Sequence, residues 1–376
     1  MKRPACLAAW LPALALAAGL LAGHAPVQAQ GMAAANEKTE RTDRPDRADR
    51  AEKPEKPERA ERAEKTPPAA IRLIRFGVLP LGGTVESRAL WTPLMADMSR
   101  ALGIAVSAYS VPSYEELDRA IGRNEIDMAF LSAKMALDAV MQRRMKVVAQ
   151  IARHPSVPEH RAVLLARKAG PLNTLEGMLA QPEKWRLARG DSRSVTGFIV
   201  PQSQLFLPNN IEMETRFRSE FVGTHQATAL AVANGDADVA TNNTTDLERF
   251  RQQFPIEAER LQVIWESEPP PGAPMVVRRD YPPEFQAKLQ KFLTDYGKGK
   301  GARGNAEREV LKTLRAAYGY VAADDSALLP EARLEHHLGK QRAMAASWVN
   351  EAAREQRLQR IEKIYAEQVE VLRADR

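Results

Sequence analysis

The sequence predicts a two-lobed α/β body behind a charged spacer, and three observations predict it. Short β-branched runs alternate with amphipathic stretches from Ile71 onward, a ten-residue pattern recurs 111 positions later, and residues 1–70 share neither feature. A chain of 376 residues accommodates two to three domains. At 44% hydrophobic and 27% charged it is neither collagenous, fully disordered nor a multi-span membrane protein. A single cysteine excludes an intramolecular disulfide and a cysteine-based metal site. A net charge of +6 is too small and too dispersed to argue for nucleic acid.

Residues 1–29 have the order of a secretory signal peptide. Lys2 and Arg3 precede an apolar run from Leu7 to Leu21, and Val27-Gln28-Ala29 supplies small residues for cleavage near Ala29. The run is short for a bilayer span, which needs about 20 apolar residues. Cys6 lies before the run and leaves with it, so the expected mature protein is soluble, outside the cytoplasm and free of cysteine. A buried N-terminal helix is the plainer alternative. Residues 30–70 form the expected linker. From Asn36 to Lys65 a small residue or Pro, an acid and a base repeat in threes, with Pro45, Pro54 and Pro57 opposing a continuous helix. Nothing larger than Ala is available to offset the ordering entropy. We read a solvated spacer, with a binding role as the alternative.

The body begins with an expected strand at Ile71–Leu79 and a Gly82-Gly83 turn. Next is a helix with Trp91, Leu94, Met98 and Leu102 on one face. A strand at Ala105–Val111, a helix from Tyr114 to Ile121, a strand at Ile126–Phe130 and a helix ending near Gln142 complete a parallel βαβ pattern. Ala120 to Ala129 (AIGRNEIDMA) then lines up with Ala231 to Ala240 (AVANGDADVA), each reading as helix end, polar turn and buried strand. Thirteen residues before Asp127 stands Tyr114, and thirteen before Asp238 stands His225. Both follow an expected strand (Ala105–Val111; Thr215–Val222) and open a helix. Ligands bind outside the carboxyl ends of parallel strands, so the two positions face one another across a cleft.

A third candidate is Asp191 to Pro201, after a strand at Arg186–Ala188 and before an apolar helix. Ser194, Thr196 and Gly197 place hydroxyls and free amides at a helix N-terminus, which favours a tetrahedral oxyanion. An ordinary Ser or Thr cap is the plainer reading of that segment alone, and a surface histidine that of His225. His154, His160 and the His336-His337 pair form no metal set, and no nucleophile with an identifiable base, P-loop or dinucleotide fingerprint is visible.

At this point the sequence resembles the periplasmic phosphonate-binding proteins of phosphonate and phosphite ABC importers. Phe76 to Pro80 with Trp91 to Leu94 is similar to that family's first strand and helix. Gly223 to Ala227, Asn234-Gly235 and Asp238 to Thr244 resemble its most characteristic run, and Ile264 to Ser267 through Pro274 and Arg278 its return to the first lobe. The resemblance spans about Ile71 to Tyr320. It implies a type II periplasmic binding fold with a hinge, here with a C-terminal helical extension. The implied lobes are 71–160 with 263–329, and 161–262, with a tail at 330–376 and crossings near Ile151–Val163 and Val263–Ser267.

The resemblance also implies that Tyr114, His225 and the turn Ser194, Val195, Thr196 and Gly197 hold a phosphonyl group. Val195 brings only its backbone amide where the family carries a hydroxyl, and Ser132 to Ala136 lacks the family's aromatic wall. The family's two amine-binding carboxylates fall at Thr245 and Ala273, and Asp246 is one residue out of register. A buried ammonium without a carboxylate costs several kcal/mol, so the expected ligand is an amine-free phosphorus oxyanion.

Leu358, Ile361, Tyr365 and Leu372 fall on one stripe of the tail, interrupted by Gln368. It reads either as a helix on its own lobe or as a homodimer contact, and the resemblance favours the latter. The whole reads as a periplasmic binding protein delivering its ligand to an ABC permease, with no cofactor, metal, nucleic acid or catalytic residue. A ligand sensor for a membrane signalling partner and an enzyme acting on phosphorus esters are the rivals.

Overall fold

Ile74, Phe76 and Val78 alternate along β1 (Leu73–Val78) and are buried on one face. They meet Trp91, Leu94 and Met98 of α1 (Thr84–Leu102), which share a helical stripe. The Trp91 ring packs between Phe76 and Phe130, with centroids 5.3 and 5.1 Å away. The opposite face of the same sheet covers Leu117 and Ile121 of α2 (Tyr114–Gly122) and the apolar side of α3 (Ala133–Met141). These contacts belong to a computed structural model that describes residues 71–154, 159–172 and 174–374, all within the unit Pro67–Arg376. The expected leader, its cleavage point and the charged repeat lie outside the described residues.

Two sheets carry the body. The first adds β2 (Ala105–Ser110), β3 (Met128–Phe130) and β4 (Met145–Ile151) before the chain crosses to β5 (Ala162–Arg167). The second contains α4 (Leu175–Ala180), β6 (Arg186–Arg189), α5 (Met213–Arg216), β7 (Ser219–Val222) and α6 (His225–Asn234). It continues with β8 (Val239–Asn243), α7 (Thr244–Gln253), α8 (Pro255–Glu259) and β9 (Leu261–Glu266). The chain then returns through β10 (Pro274–Arg278), α9 (Pro283–Asp295), α10 (Gly301–Thr313) and β11 (Tyr320–Ala322). It ends in α11 (Leu329–Ala345) and α12 (Glu351–Arg373).

The sheet orders are β11-β4-β10-β3-β1-β2 and β7-β6-β8-β5-β9. Strands β2-β1-β3 and β7-β6-β8 are parallel sets in the same order, as the sequence pattern predicts. Both sheets are nevertheless mixed. In each, the strand that arrives from the other lobe, β10 or β5, runs antiparallel beside the parallel set. A strand entering from a hinge starts at the opposite end of the sheet from one that follows a local helix.

Three expectations need correction. The segment predicted as a strand at Thr215–Val222 opens as the short helix α5, and only Ser219–Val222 pairs with β6. The helix expected after Ser194 is wound as π turns at Val195–Ile199 and Gln202–Phe206, because Pro201 removes an amide between them. The second crossing falls at residues 267–273, since Val263–Glu266 is part of β9 and pairs with β5.

The 111-residue repeat is physical. Arg75 donates from its backbone N and Nε to Asp127 at 2.8 Å, and from Nη2 to the Asn124 carbonyl. Arg186 makes the same three contacts with Asp238 and the Gly235 carbonyl, at 2.9, 3.0 and 2.9 Å. Each aspartate thereby ties the first strand of its parallel set, β1 or β6, to the turn before the third, β3 or β8. Helix caps keep the same spacing: Gly83 and Ser194, Ser113 and Thr224, Ser132 and Asn243.

The tail folds onto its own chain. Ile361, Gln368 and Leu372 of α12 are buried, Tyr365 stacks on His336 of α11, and Leu372 joins the main core. The stripe that suggested a second copy is covered from within.

Candidate functional site

Each lobe presents helix N-termini at the carboxyl ends of its parallel strands, where free amides gather positive potential. Ser113 caps α2 by accepting from the Glu116 amide, which seats Tyr114 as the first helical residue. Thr224 caps α6 through the Ala227 amide and seats His225 equivalently. Asn243 caps α7 through the Asp246 amide. The repeat therefore delivers Tyr114 and His225 to matching places on opposite walls, as their shared distance from Asp127 and Asp238 implies.

The walls touch. The Ser132 hydroxyl donates to the Arg193 carbonyl at 2.9 Å, and the Arg193 guanidinium stands 3.8 Å from Asp118. A Cβ on Gly82 would lie 2.8 Å from the Gln226 side chain. Tyr114 is buried, its hydroxyl facing Ser194; burial and the charges of Asp246 and Asp191 outweigh Ser194 and hold its acidity far below that of a free tyrosine.

At the centre, Thr196 Oγ1 lies 3.4 Å from His225 Nε2 and accepts from Asn243 Nδ2 at 3.3 Å. His225 is 4% exposed, and its Nδ1 is buried without a hydrogen-bond partner. Burial lowers the imidazole pKa, and the Asp246 carboxylate opposes that. The nearest turn is held tight: a Cβ on Gly197 would stand 2.8 Å from Gly190 Cα and 3.1 Å from His225 Cε1, so no larger residue fits. Ser194 is a cap after all, accepting from the Gly197 amide at 3.0 Å, and that N–H is thereby occupied. The amides of Val195 and Thr196, first in the turn, have no partner further up the helix to accept them. Buried hydroxyls, an imidazole and amides converging from two lobes suit a compact anion with several oxygens.

The remaining candidates fall at the edge. Thr245 Oγ1 lies 2.9 Å from His160 Nδ1, turned toward the first crossing. Ala273 is in the second crossing and brings only a methyl group. Sequence reasoning passed over Asn243 and set Asp246 aside. Asn243 Nδ2 donates to Asp246 Oδ2 at 2.8 Å, and Arg249 donates to Asp246 Oδ1 at 3.0 Å. The signal was present in the Asn-Asn-Thr run, but only the cap geometry shows which asparagine faces the cleft. Among the described residues, no cluster of His, Cys, Asp and Glu could hold a metal ion.

Fold and site together define a two-lobed binding protein that takes a small solute between its lobes. The family model described as ABC transporter, phosphonate, periplasmic substrate-binding protein matches residues 76–328. A phosphonates-binding periplasmic protein of Escherichia coli (strain K12) is 32% identical over 237 residues, 63% of this chain and 70% of that one. A binding protein component of an ABC phosphonate transporter from Pseudomonas aeruginosa superposes with a TM-score of 0.74 at 29% identity, over 80% of this chain and 97% of that one. PhnD1 from Prochlorococcus marinus, in complex with methylphosphonate, shares the fold at a TM-score of 0.61 and 18% identity, over 72% of this chain and 99% of that one. The chain belongs to the family of periplasmic substrate-binding proteins of phosphonate ABC transporters. Among the described residues, no helix is long and apolar enough to cross a membrane.

Proposed function

We propose that this protein closes on an amine-free phosphorus oxyanion, such as phosphite or an alkylphosphonate, and delivers it to an inner-membrane ABC permease. The observation that carries the reading is the convergence of Thr196, His225 and the 194–197 turn from one lobe with Tyr114 from the other. Ligand contacts to both lobes would favour the closed form, with hinge motion at the two crossings. Neither Thr245 nor Ala273 offers a carboxylate for an ammonium, and Asp246 is engaged by Asn243 and Arg249. The leader is removed near Ala29 and the mature protein works in the periplasm without catalysis. A homodimer is not part of this reading, because the stripe on α12 is spent within the chain.

A thermal-shift panel on refolded mature protein tests it, comparing phosphate, phosphite, methylphosphonate, 2-aminoethylphosphonate and a sulfonate. Ligand at about a hundred times its Kd adds about 2.7 kcal/mol and raises the midpoint by several degrees. A shift confined to amine-free phosphorus anions supports the proposal. Tight binding of 2-aminoethylphosphonate overturns the specificity, and no shift with any of the five overturns the ligand class. A sensor would bind the same anions, so transport is tested separately by uptake in cells lacking the protein.

A further inference from the structure

A carboxylate beside an anion site is electrostatically misplaced unless it acts on another group. Asp246, only 11% exposed at its side chain, lies in the first turn of α7 next to the candidate site. Its Oδ2 accepts from Asn243 Nδ2 at 2.8 Å. The same Nδ2 donates to Thr196 Oγ1 at 3.3 Å, and Thr196 Oγ1 lies 3.4 Å from His225 Nε2. The line of contacts runs from Asp246 through Asn243 and Thr196 to His225. Asn243 is further pinned as the cap of α7, with its Oδ1 accepting from the Asp246 amide at 2.8 Å.

We propose that Asp246 is a positioning residue for anion capture, orienting the Thr196 hydroxyl through Asn243 and drawing a proton onto His225 as the anion enters. The proposal rests on the phosphorus-oxyanion reading above. Because Asn243 occupies one lone pair of Thr196 Oγ1, the hydroxyl proton is directed away from Asn243 and toward the cleft. In the neutral imidazole, Nε2 accepts that proton's hydrogen bond. When a proton from solvent binds Nε2, the Thr196 hydroxyl turns its own proton to an anion oxygen, and both ring nitrogens become donors. Nδ1, on the far side of the ring from Thr196, does not reach the anion, and the Thr241 carbonyl beside the imidazole favours its charged form. The groups that bear on the imidazole are Asp246 on α7, His160 on the first crossing and the Thr241 carbonyl of β8, with Arg249 of α7 acting through its pairing with Asp246. Burial disfavours the imidazolium, Asp246 favours it, and Arg249 tempers Asp246 by pairing with it. Anion binding is thereby coupled to uptake of one proton, and affinity rises as pH falls.

The test is isothermal titration of the full-length protein with methylphosphonate from about pH 6 to about pH 8, where imidazole charge changes. The titration of the ligand itself is common to all variants and cancels between them. In Asp246→Asn the rise of affinity sets in about one pH unit lower than in the native protein, and in Arg249→Gln about one unit higher, a tenfold change in protonation each way. A structural defect scales affinity equally at every pH and moves neither profile. Profiles that keep the native position in both variants overturn the proposal, as does native binding without proton uptake. Arg249→Gln decides alone if Asp246→Asn does not fold. Absence of methylphosphonate binding by the native protein overturns the ligand reading, and the relay falls with it.

Discussion

In the proposed site, selectivity rests on hydrogen bonds from a few buried donors, so single side chains carry measurable affinity. His225 and Thr196 stand 3.4 Å apart and are 4% and 6% exposed, which removes water as a competitor for the ligand. Hydrogen bonds to charged groups contribute about 1.5–3 kcal/mol, so His225→Ala and Thr196→Val each weaken anion binding at least about tenfold. Calorimetric titration checks this, and unchanged affinity in both variants would remove these residues from the site. The sequence placed both by a tetrapeptide turn and a repeat. It missed Asn243 because an asparagine in a polar run looks like any cap until the helix direction is known.

Between elements, buried charge decides how the lobes respond to pH. Asp127 and Asp238 are penalised by burial, yet their bonds to Arg75 and Arg186 hold both carboxyls below the ordinary range. A depressed folded pKa contributes stability that is present above the unfolded value and lost as pH falls through the folded one. Native protein therefore loses stability below about pH 4, and Asp127→Asn with Asp238→Asn flattens that acid limb in thermal melts across pH. Glu331 shows the opposite sign. It is fully buried on α11, neither carboxyl oxygen has a hydrogen-bond partner, and burial pushes its pKa up to about 8. Its contribution is complete below the unfolded value of about 4.3 and declines as pH rises to about 8. Glu331→Gln should raise the melting temperature at alkaline pH and leave it nearly unchanged in acid. Equal effects at both ends would contradict the assignment. The α11–α12 hairpin was legible as helix, but the heptad-like stripe could not say whether its cover came from inside or outside the chain.

At the scale of the molecule, the proposed closure would draw on contacts that join segments far apart in sequence. Ser132 reaches the Arg193 carbonyl, and Asp118 faces the same arginine. Helix α11 adds a third link, pairing Glu335 with Lys134 of α3 at one end and Gln341 and Arg342 with Ser203 and Glu214 at the other. Exposed or rim ion pairs contribute little, about 0–1 kcal/mol, whereas bonds formed only on closure act mainly on release. Asp118→Asn should therefore accelerate ligand dissociation by a few-fold with little change in the association rate. Stopped-flow measurement of both rates decides it, and a change confined to association would place Arg193 in steering instead.

The sequence by itself determined the two lobes, the parallel cores and the matching seats of Tyr114 and His225, because alternation, helical spacing and a repeat at 111 residues are local or periodic signals. Tertiary structure alone decided the antiparallel hinge strands, the π turns around Pro201, the internal cover of α12 and the line from Asp246 to His225. Each of those depends on groups distant in the chain meeting across the sheets, the cleft or a helix pair. Such meetings leave no period in the sequence to read.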